Sequence, residues 1–215
     1  MRYYKYLFTS IFLVSLSLSA LADPFEGLIY FEKVEDEKST YFRYYIKGDK
    51  IRIEDVNEEG NLNGILLIDM SEVSLKMLSC TAQMYIDVPL SPESESPKVK
   101  VEKTRETKMI AGKECIKYHV INKETFSNFD FWVNKDNYPF FTPMLRMLNR
   151  EDAIAKAWVS SSIGHDFFPF EGVEYNSTGK EKTRLEVKEI KEMQLDDELF
   201  VIPANYSLFE RKINN

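Results

Sequence analysis

The chain has 215 residues, of which 44% are hydrophobic and 29% charged, a composition typical of a globular domain with a sizeable core. It excludes a disordered or collagen-like chain, and the 2 Cys and 2 His exclude zinc-finger and multi-cysteine scaffolds. Because 28 Lys and Arg stand against 35 Asp and Glu, the formal charge is −7, and we expect no nucleic-acid binding, which needs a concentrated basic face.

The start of the chain differs in composition from the rest. Two basic residues precede an apolar run over residues 7–18, and Ala20 and Ala22 then give the small–x–small pattern of a signal-peptidase site. A transmembrane anchor would need about 20 apolar residues, whereas this run is shorter and is interrupted by Thr and Ser. No later segment is long and apolar enough to span a membrane. We therefore predict a cleaved signal peptide at residues 1–22 and a soluble, exported single domain at residues 23–215, in the periplasm or outside the cell.

The strongest strand signal lies at residues 41–54, where apolar and polar residues alternate with the period of two that is typical of a strand. Gly48 and Asp49 interrupt the alternation, and glycine in the first position favours a type II′ hairpin turn. This register predicts four cross-strand pairs, namely Ile46 with Ile51, Tyr44 with Ile53, Arg43 with Glu54, and Tyr45 with Arg52.

Similar patterns predict further strands along the rest of the mature chain. They lie at residues 27–35, 64–70, 74–78, 83–88, 108–110, 114–122, 129–134, 171–175 and 183–193. Their short spacing and the turn residues between them favour one antiparallel meander. In the last strand the alternation slips between Val187 and Ile190, which predicts a bulge near Lys188 and Glu189. The polar segment over residues 89–97 is expected to connect two halves of one sheet.

One region has apolar residues at helical spacing, over about residues 142–163. Thr142 before a proline favours a helix start, and Asn149 with acidic residues after it favours a second one. Gly164 favours the end of the second helix. A single continuous helix would place Glu151 within its apolar stripe, so we predict two short helices with a break near Asn149.

A sheet of about ten strands is near the size at which an open twisted sheet curls. The helical insert, which is rich in Met and Phe, would then fill the concave side. The sequence therefore predicts a mainly β fold. We expect a curved antiparallel half-barrel, or a closed barrel, with a short helical plug or lid.

Three stretches of the chain resemble an exported bacterial family known as a domain of unknown function. They are residues 44–54 (YYIKGDKIRIE), residues 107–112 (TKMIAG) continuing to Cys115 and Tyr118, and residues 199–206 (LFVIPANY). Together they span nearly the whole mature chain. That family is similar to the LolA-like periplasmic lipoprotein carriers. The resemblance implies a curved half-barrel capped by helices, with acyl chains held in its apolar concavity, and it implies no catalytic residues.

The helical insert and its flanking aromatic residues form the candidate ligand site. Its members are Phe140, Phe141, Met144, Met147, Leu148, Ile154, Trp158, Phe167, Phe168 and Phe170. Methionine and aromatic side chains suit a deformable apolar pocket, and the resemblance strengthens this interpretation. The alternative is an ordinary core, because apolar residues at helical spacing usually only pack a helix onto a sheet.

Other reactive residue types carry weaker signals. An oxidising compartment permits a disulfide between Cys80 and Cys115, and the alternative is two cysteines too far apart to bond. The serines at residues 160–162 precede His165 closely, but no nucleophile-positioning turn accompanies them, so we expect a polar helix end. His119 has no second histidine or cysteine nearby. We predict no catalytic, metal or cofactor site.

The leading functional hypothesis is an exported, non-enzymatic binding protein that holds a lipid acyl chain or another apolar ligand between sheet and helices. The alternative is an envelope structural or interaction module whose concavity is filled by its own side chains, and an enzyme is a third option. The size of the cavity under residues 140–170 discriminates between the first two. The sequence names no protein partner.

Overall fold

The structure is a computed structural model that describes residues 25–90, 97–135, 138–149 and 152–209. Its strands are β1 (Glu26–Glu35), β2 (Lys38–Lys47), β3 (Lys50–Val56), β4 (Leu62–Asp69), β5 (Ser74–Ser79), β6 (Met84–Asp87), β7 (Val99–Ile110), β8 (Lys113–Asn122), β9 (Asn128–Asn134), β10 (Phe168–Tyr175), β11 (Glu181–Glu192) and β12 (Ser207–Leu208). Two helices, α1 (Phe141–Leu148) and α2 (Ala153–Ser161), lie between β9 and β10. The predicted signal peptide, residues 1–22, lies outside the described residues.

All twelve strands belong to one sheet, built from two antiparallel meanders that meet at β1 and β11. The strand order is β12-β6-β5-β4-β3-β2-β1-β11-β10-β9-β8-β7, and β12 runs parallel to β6. The prediction of one continuous meander is therefore wrong, because the chain leaves the first meander after β6 and begins the second at the far edge. The connection over residues 89–97 does join two halves of one sheet, as expected.

The sheet is strongly curved and remains open, with β12 and β7 as its edges. Ten inter-strand steps separate β6 from β7, so a flat sheet would place these strands about 48 Å apart at roughly 4.8 Å per step. The chain from Asp87 to Val99 reaches at most about 42 Å, at roughly 3.5 Å per residue. The sheet must therefore curve. The predicted half-barrel is confirmed, and a closed barrel is not formed.

The β2–β3 hairpin confirms the strongest sequence prediction. All four predicted pairs occur in the observed register, and Arg43 Nη1 lies 3.7 Å from Glu54 Oε2. Gly48 has a φ of +58°, the left-handed conformation that a type II′ turn requires at its first central residue. Turn chemistry and hydrophobic pattern therefore specify the same register.

We expect Gly48→Val to lower the free energy of unfolding by about 1–2 kcal/mol, because a β-branched residue is strained in the left-handed region. The space around Gly48 is open, so the loss comes from the backbone and not from a clash. Gly64→Val in β4 is a matched control, since its Cβ would meet only Leu78 O, at 3.8 Å. Urea denaturation checks this, and equal midpoints for Gly48→Val and the wild type would show that the turn is assigned wrongly.

The predicted bulge in β11 is also confirmed. Tyr30 of β1 pairs with Glu189, and the next residue, Phe31, pairs with Val187. Lys188 is therefore the extra residue, as expected from the slip in the apolar alternation.

The prediction of two helices is confirmed. α1 ends at Asn149, whose φ is +43°, and α2 begins after Asp152, whose carboxylate accepts a hydrogen bond from the Ala155 backbone N–H at 2.8 Å. Asn149 therefore closes α1 and does not open α2, which corrects the predicted second start. In the described part of the chain, the helices are too short to cross a membrane.

Two other predicted helix signals have different roles. Thr142 is not the N-cap of α1 but lies in its first turn, where its Oγ1 accepts a hydrogen bond from the Trp158 indole N–H at 3.2 Å. Gly164 does not end α2, whose last residue is Ser161. It lies in the next turn, a 3-10 helix (Ile163–His165), where an added Cβ would be 3.1 Å from Trp158 Nε1. Thr142 therefore binds the indole N–H, and Gly164 leaves room for this hydrogen bond.

The main core lies between the concave face of the sheet and the helices. Its most buried large side chains include Phe31, Phe129, Phe131, Met144, Trp158, Phe168 and Phe170. A smaller cluster on the convex face consists of Ile65, Leu67 and Leu78. The C-terminal segment covers this cluster with Ile202 and Tyr206, and Arg52 fixes the segment by donating to Leu199 O at 3.1 Å. Residues 199–206, the third of the stretches that resemble the family, therefore cover this cluster.

Cys80 and Cys115 belong to these two separate clusters. Cys115 is fully buried in the main core, whereas Cys80 packs against the convex cluster. The two residues do not form a disulfide. Of the two expectations, the one with two unpaired cysteines describes the structure, because β5, which precedes Cys80, and β8, which carries Cys115, lie far apart in the strand order.

Candidate functional site

A cavity of about 300 Å³ lies between the concave face of the sheet and the two helices. Its apolar walls come from both layers, and they are formed mainly by Phe31, Phe42, Tyr44, Phe131, Phe141, Leu145, Ile154, Trp158 and Leu185. The curvature of the sheet and the position of α2 together set the size of this space.

α2 lies close to the sheet because β10 has a glycine at the point of contact. A Cβ at Gly172 would lie 2.9 Å from Ile154 Cγ2 and 3.1 Å from the Phe131 ring. Gly172 also lines the cavity. A larger residue would therefore push α2 away from the sheet or occupy the cavity, so close packing accounts for the glycine.

Trp158 belongs to the main core and also lines the cavity. Its ring packs edge-on against Phe131, with centroids 5.2 Å apart, and its indole N–H donates to Thr142 of α1. Ile154 lies one turn earlier on the same face of α2 and lines the same space. Sequence spacing on α2 thus brings the two predicted residues together at the cavity.

The mouth of the cavity is charged. Lys33 Nζ donates to Glu35 Oε2 at 2.7 Å, and Lys182 Nζ donates to Glu174 Oε1 at 2.9 Å. Thr183 lies between the carboxylates, opposite Glu35 on one side and Glu174 on the other. The bond from Lys33 holds the pKa of Glu35 below its usual range, and the bond to Glu174 raises the pKa of Lys182. These five residues all line the cavity and are called the rim below.

Of the ten residues predicted from the helical insert, three line the cavity: Phe141, Ile154 and Trp158. The other seven do not line it, and they are Phe140, Met144, Met147, Leu148, Phe167, Phe168 and Phe170. Met144, Phe168 and Phe170 are fully buried in the main core. For these seven the expectation of cavity lining is corrected, because helical spacing identifies a buried face but does not separate core from cavity.

Sequence reasoning missed the side chains that the sheet contributes. Phe31, Lys33 and Glu35 alternate along β1 and therefore share its concave face. Phe42 and Tyr44 occupy the same face of β2. The period-two alternation predicts that these side chains share one face. It did not identify them as cavity lining, because charged residues at alternate positions are also typical of a strand whose end is exposed to solvent.

The serines and histidines lie away from the cavity. Ser160 Oγ donates to Lys156 O, and Ser161 Oγ donates to Trp158 O, both at 2.7 Å, so these hydroxyls close the end of α2. His119 Nδ1 lies 2.7 Å from a carboxylate oxygen of Asp130 on the neighbouring strand.

A separate ionic cluster lies around Glu171 on the convex face. Both carboxylate oxygens of Glu171 lie 2.8 Å from Lys108 Nζ, and Arg184 Nη1 is 3.1 Å from one of them. The Lys108 ammonium also lies 4.4 Å from the centre of the Trp132 ring. Neighbouring residues of a strand point to opposite faces, and Gly172 faces the cavity. Glu171 therefore points to the other face of the sheet and does not line the cavity.

The fold and the cavity define a curved-sheet protein with a ligand-sized space under two short helices. The chain belongs to the family described as Domain of unknown function (DUF4412), which matches residues 25–206. Among curated proteins, none matches the sequence.

Solved structures share this fold at low sequence identity. An uncharacterized conserved protein from Thermus thermophilus is 12% identical, with a TM-score of 0.53 over 86% of this chain and 91% of that chain. A chain in the MucA/MucB complex of Pseudomonas aeruginosa is 9% identical, with a TM-score of 0.51 over 83% of this chain and 56% of that chain. These likenesses concern the fold alone.

Proposed function

We propose that this protein is an exported, non-enzymatic binding protein that holds an acyl chain, or another slender apolar ligand, in the cavity under α1 and α2. The observation that carries the proposal is the cavity itself. Its volume of about 300 Å³ is at the lower end of the range for small-molecule sites, roughly 300–1,000 Å³. An apolar interior behind a charged mouth suits an amphiphile with its chain inside and its polar end outside.

A purely structural module would fill this space with its own side chains. The cavity opens to solvent at its charged rim, so water would otherwise cover its apolar walls, at a cost of about 25 cal/mol for each Å² of apolar surface left in contact with water. A bound chain would recover that loss through apolar contacts.

Export and the absence of catalysis rest on other observations. The predicted signal peptide at residues 1–22 supports export. The acidic groups of the rim are engaged by lysines, which supports a binding role over acid–base chemistry.

A second candidate is an interaction module in the cell envelope. The fold is shared with a chain in the MucA/MucB complex, in which two proteins are associated. In that case the functional surface would bind a protein, and the cavity would be secondary.

Native mass spectrometry of the protein purified from the envelope fraction of its own host tests the proposal. We expect the mass of residues 23–215 plus one bound amphiphile, which is lost after delipidation in organic solvent. Mature protein without any small adduct, recovered together with a second protein chain, would contradict the carrier proposal and favour the interaction module. Retention of residues 1–22 would contradict export by a cleaved signal peptide.

A further inference from the structure

The charged residues of the rim form two pairs, and in each pair one side chain is much more buried than the other. Lys33 is 25% exposed, whereas its partner Glu35 is 49% exposed. Glu174 is 9% exposed, whereas its partner Lys182 is 52% exposed. The less exposed members, called the inner charges below, are thus the cation of Lys33 and the anion of Glu174, and the more exposed members are their counter-charges.

The two inner charges lie on either side of β11. Lys33 on β1 pairs across the sheet with Leu185, and Glu174 on β10 pairs with Thr183. All four residues line the cavity. Two strand spacings, about 10 Å between backbones, separate β1 from β10, so the polar end of a ligand in the mouth would have an ammonium on one side and a carboxylate on the other.

A bound amphiphile changes the surroundings of these groups. Its polar end displaces water from Lys33 and Glu174, and a charge that loses water needs a counter-charge at close range. Glu35 and Lys182 are half-exposed, so turning them into solvent costs little. The ligand is therefore able to replace both of the exposed partners.

We propose that the ligand has a zwitterionic polar end, with its anionic group at Lys33 and its cationic group at Glu174. This inference rests on the proposed function, because it assigns the polar end of the amphiphile that the cavity holds. A single-chain amphiphile whose head group contains an ammonium and a phosphate or carboxylate pairs with both inner charges at once.

A head group with a single charge pairs with only one of the two charges, Lys33 or Glu174. A fatty-acid carboxylate pairs with Lys33 but adds a negative charge near Glu174. The N-terminus of α2 also borders the cavity, but its N-cap Asp152 lines the cavity and adds a further negative charge there, which disfavours a carboxylate head. A simple ammonium head pairs with Glu174 and leaves Lys33 without a new partner.

Four amphiphiles with the same dodecyl chain test this inference: dodecyl phosphoethanolamine, dodecanoate, dodecylammonium and dodecanol. Each displaces N-phenyl-1-naphthylamine, an uncharged fluorescent probe, from the mature protein at concentrations below micelle formation. We expect the zwitterion to bind about 10-fold more tightly than either singly charged amphiphile, since it gains one more charged hydrogen-bond partner.

Substitutions in the rim should change this order in a residue-specific way. Glu174→Gln should abolish the preference over dodecanoate, and Lys33→Gln should abolish the preference over dodecylammonium. Glu189→Gln and Lys191→Gln are matched controls, because these two residues form an exposed 2.8 Å ion pair on β11 outside the cavity lining. Both control variants should keep the order of the wild type.

The outcomes separate this inference from the proposed function. Equal binding of all four amphiphiles, or tightest binding of a singly charged one, overturns the zwitterionic head and leaves the carrier proposal standing. Failure of the wild type to bind the probe or any amphiphile overturns the proposed function and this inference with it.

Discussion

Replacement of Trp158 by alanine should lower the free energy of unfolding by about 3–5 kcal/mol, a loss typical of a buried aromatic residue in a packed core. The indole is almost fully buried, packs against Phe131 and donates a hydrogen bond to Thr142. Its removal enlarges the cavity that it already lines and breaks the link between α1 and α2. Urea denaturation followed by circular dichroism measures this loss.

Two further variants make this test specific. Trp158→Phe keeps a ring against Phe131 and loses only the indole N–H with part of the ring, so we expect a loss of about 1–2 kcal/mol. Phe167→Ala removes a half-buried aromatic that does not line the cavity, and its loss should also be about 1–2 kcal/mol. A Trp158→Ala loss as small as either of these would show that the indole does not hold the helices against the sheet.

The second large effect is expected at Glu171 on the convex face. Its carboxylate is 3% exposed and is the shared partner of Lys108 and Arg184. Glu171→Ala leaves these two cations close together without their common anion, and removal of one partner of a buried ion pair costs about 3–5 kcal/mol. Because both cations are about one-third exposed, we expect a smaller loss, about 2–4 kcal/mol in urea denaturation.

Glu181→Ala is the matched control for Glu171→Ala. Glu181 also pairs with Arg184, but its side chain is 37% exposed, so its removal should cost less than about 1 kcal/mol. Similar losses for the two variants would contradict the view that burial of the Glu171 carboxylate makes its cluster important for stability.

Local signals in the sequence were sufficient for the hairpin and the helices. The Gly48 turn and the alternation around it specify one register, and the acidic N-cap Asp152 together with Asn149 separates α1 from α2. These features depend on residues that are close in sequence. Thr142 and Gly164 were misassigned because their partner is Trp158, which lies on a different element in each case.

The order of the strands could not be read from the chain. β1 has two neighbours, β2 and β11, and only the turn to β2 leaves a local signal. β7 is a highly charged edge strand, so most of its length lacks an apolar face that alternation would reveal. β12 has two residues and pairs with β6 through backbone hydrogen bonds. Because such bonds do not depend on the side chains, no sequence pattern indicates this pairing.

The candidate site was predicted only in part, for a related reason. Hydrophobic periodicity identified Phe141, Ile154 and Trp158 on the helices. It did not distinguish them from Met144 and Phe170, since a face that packs in the core and a face that lines a cavity have the same pattern. The rim was missed because charged side chains at alternate positions are typical of solvent-exposed strands, and their unequal burial depends on the curvature of the sheet.

The central claim is that the cavity under α1 and α2 holds an acyl chain. Titration of the wild type and of two tryptophan variants with a fluorescent fatty acid tests it most directly. We expect the wild type to bind the probe and Leu185→Trp, which places an indole in the cavity from β11, to weaken binding at least about 10-fold, because the added ring occupies the space of the chain. Val201→Trp adds the same ring at an exposed position outside the cavity and should bind like the wild type. Equal binding by all three proteins, or no binding by the wild type, would contradict the assignment of this cavity as a ligand site.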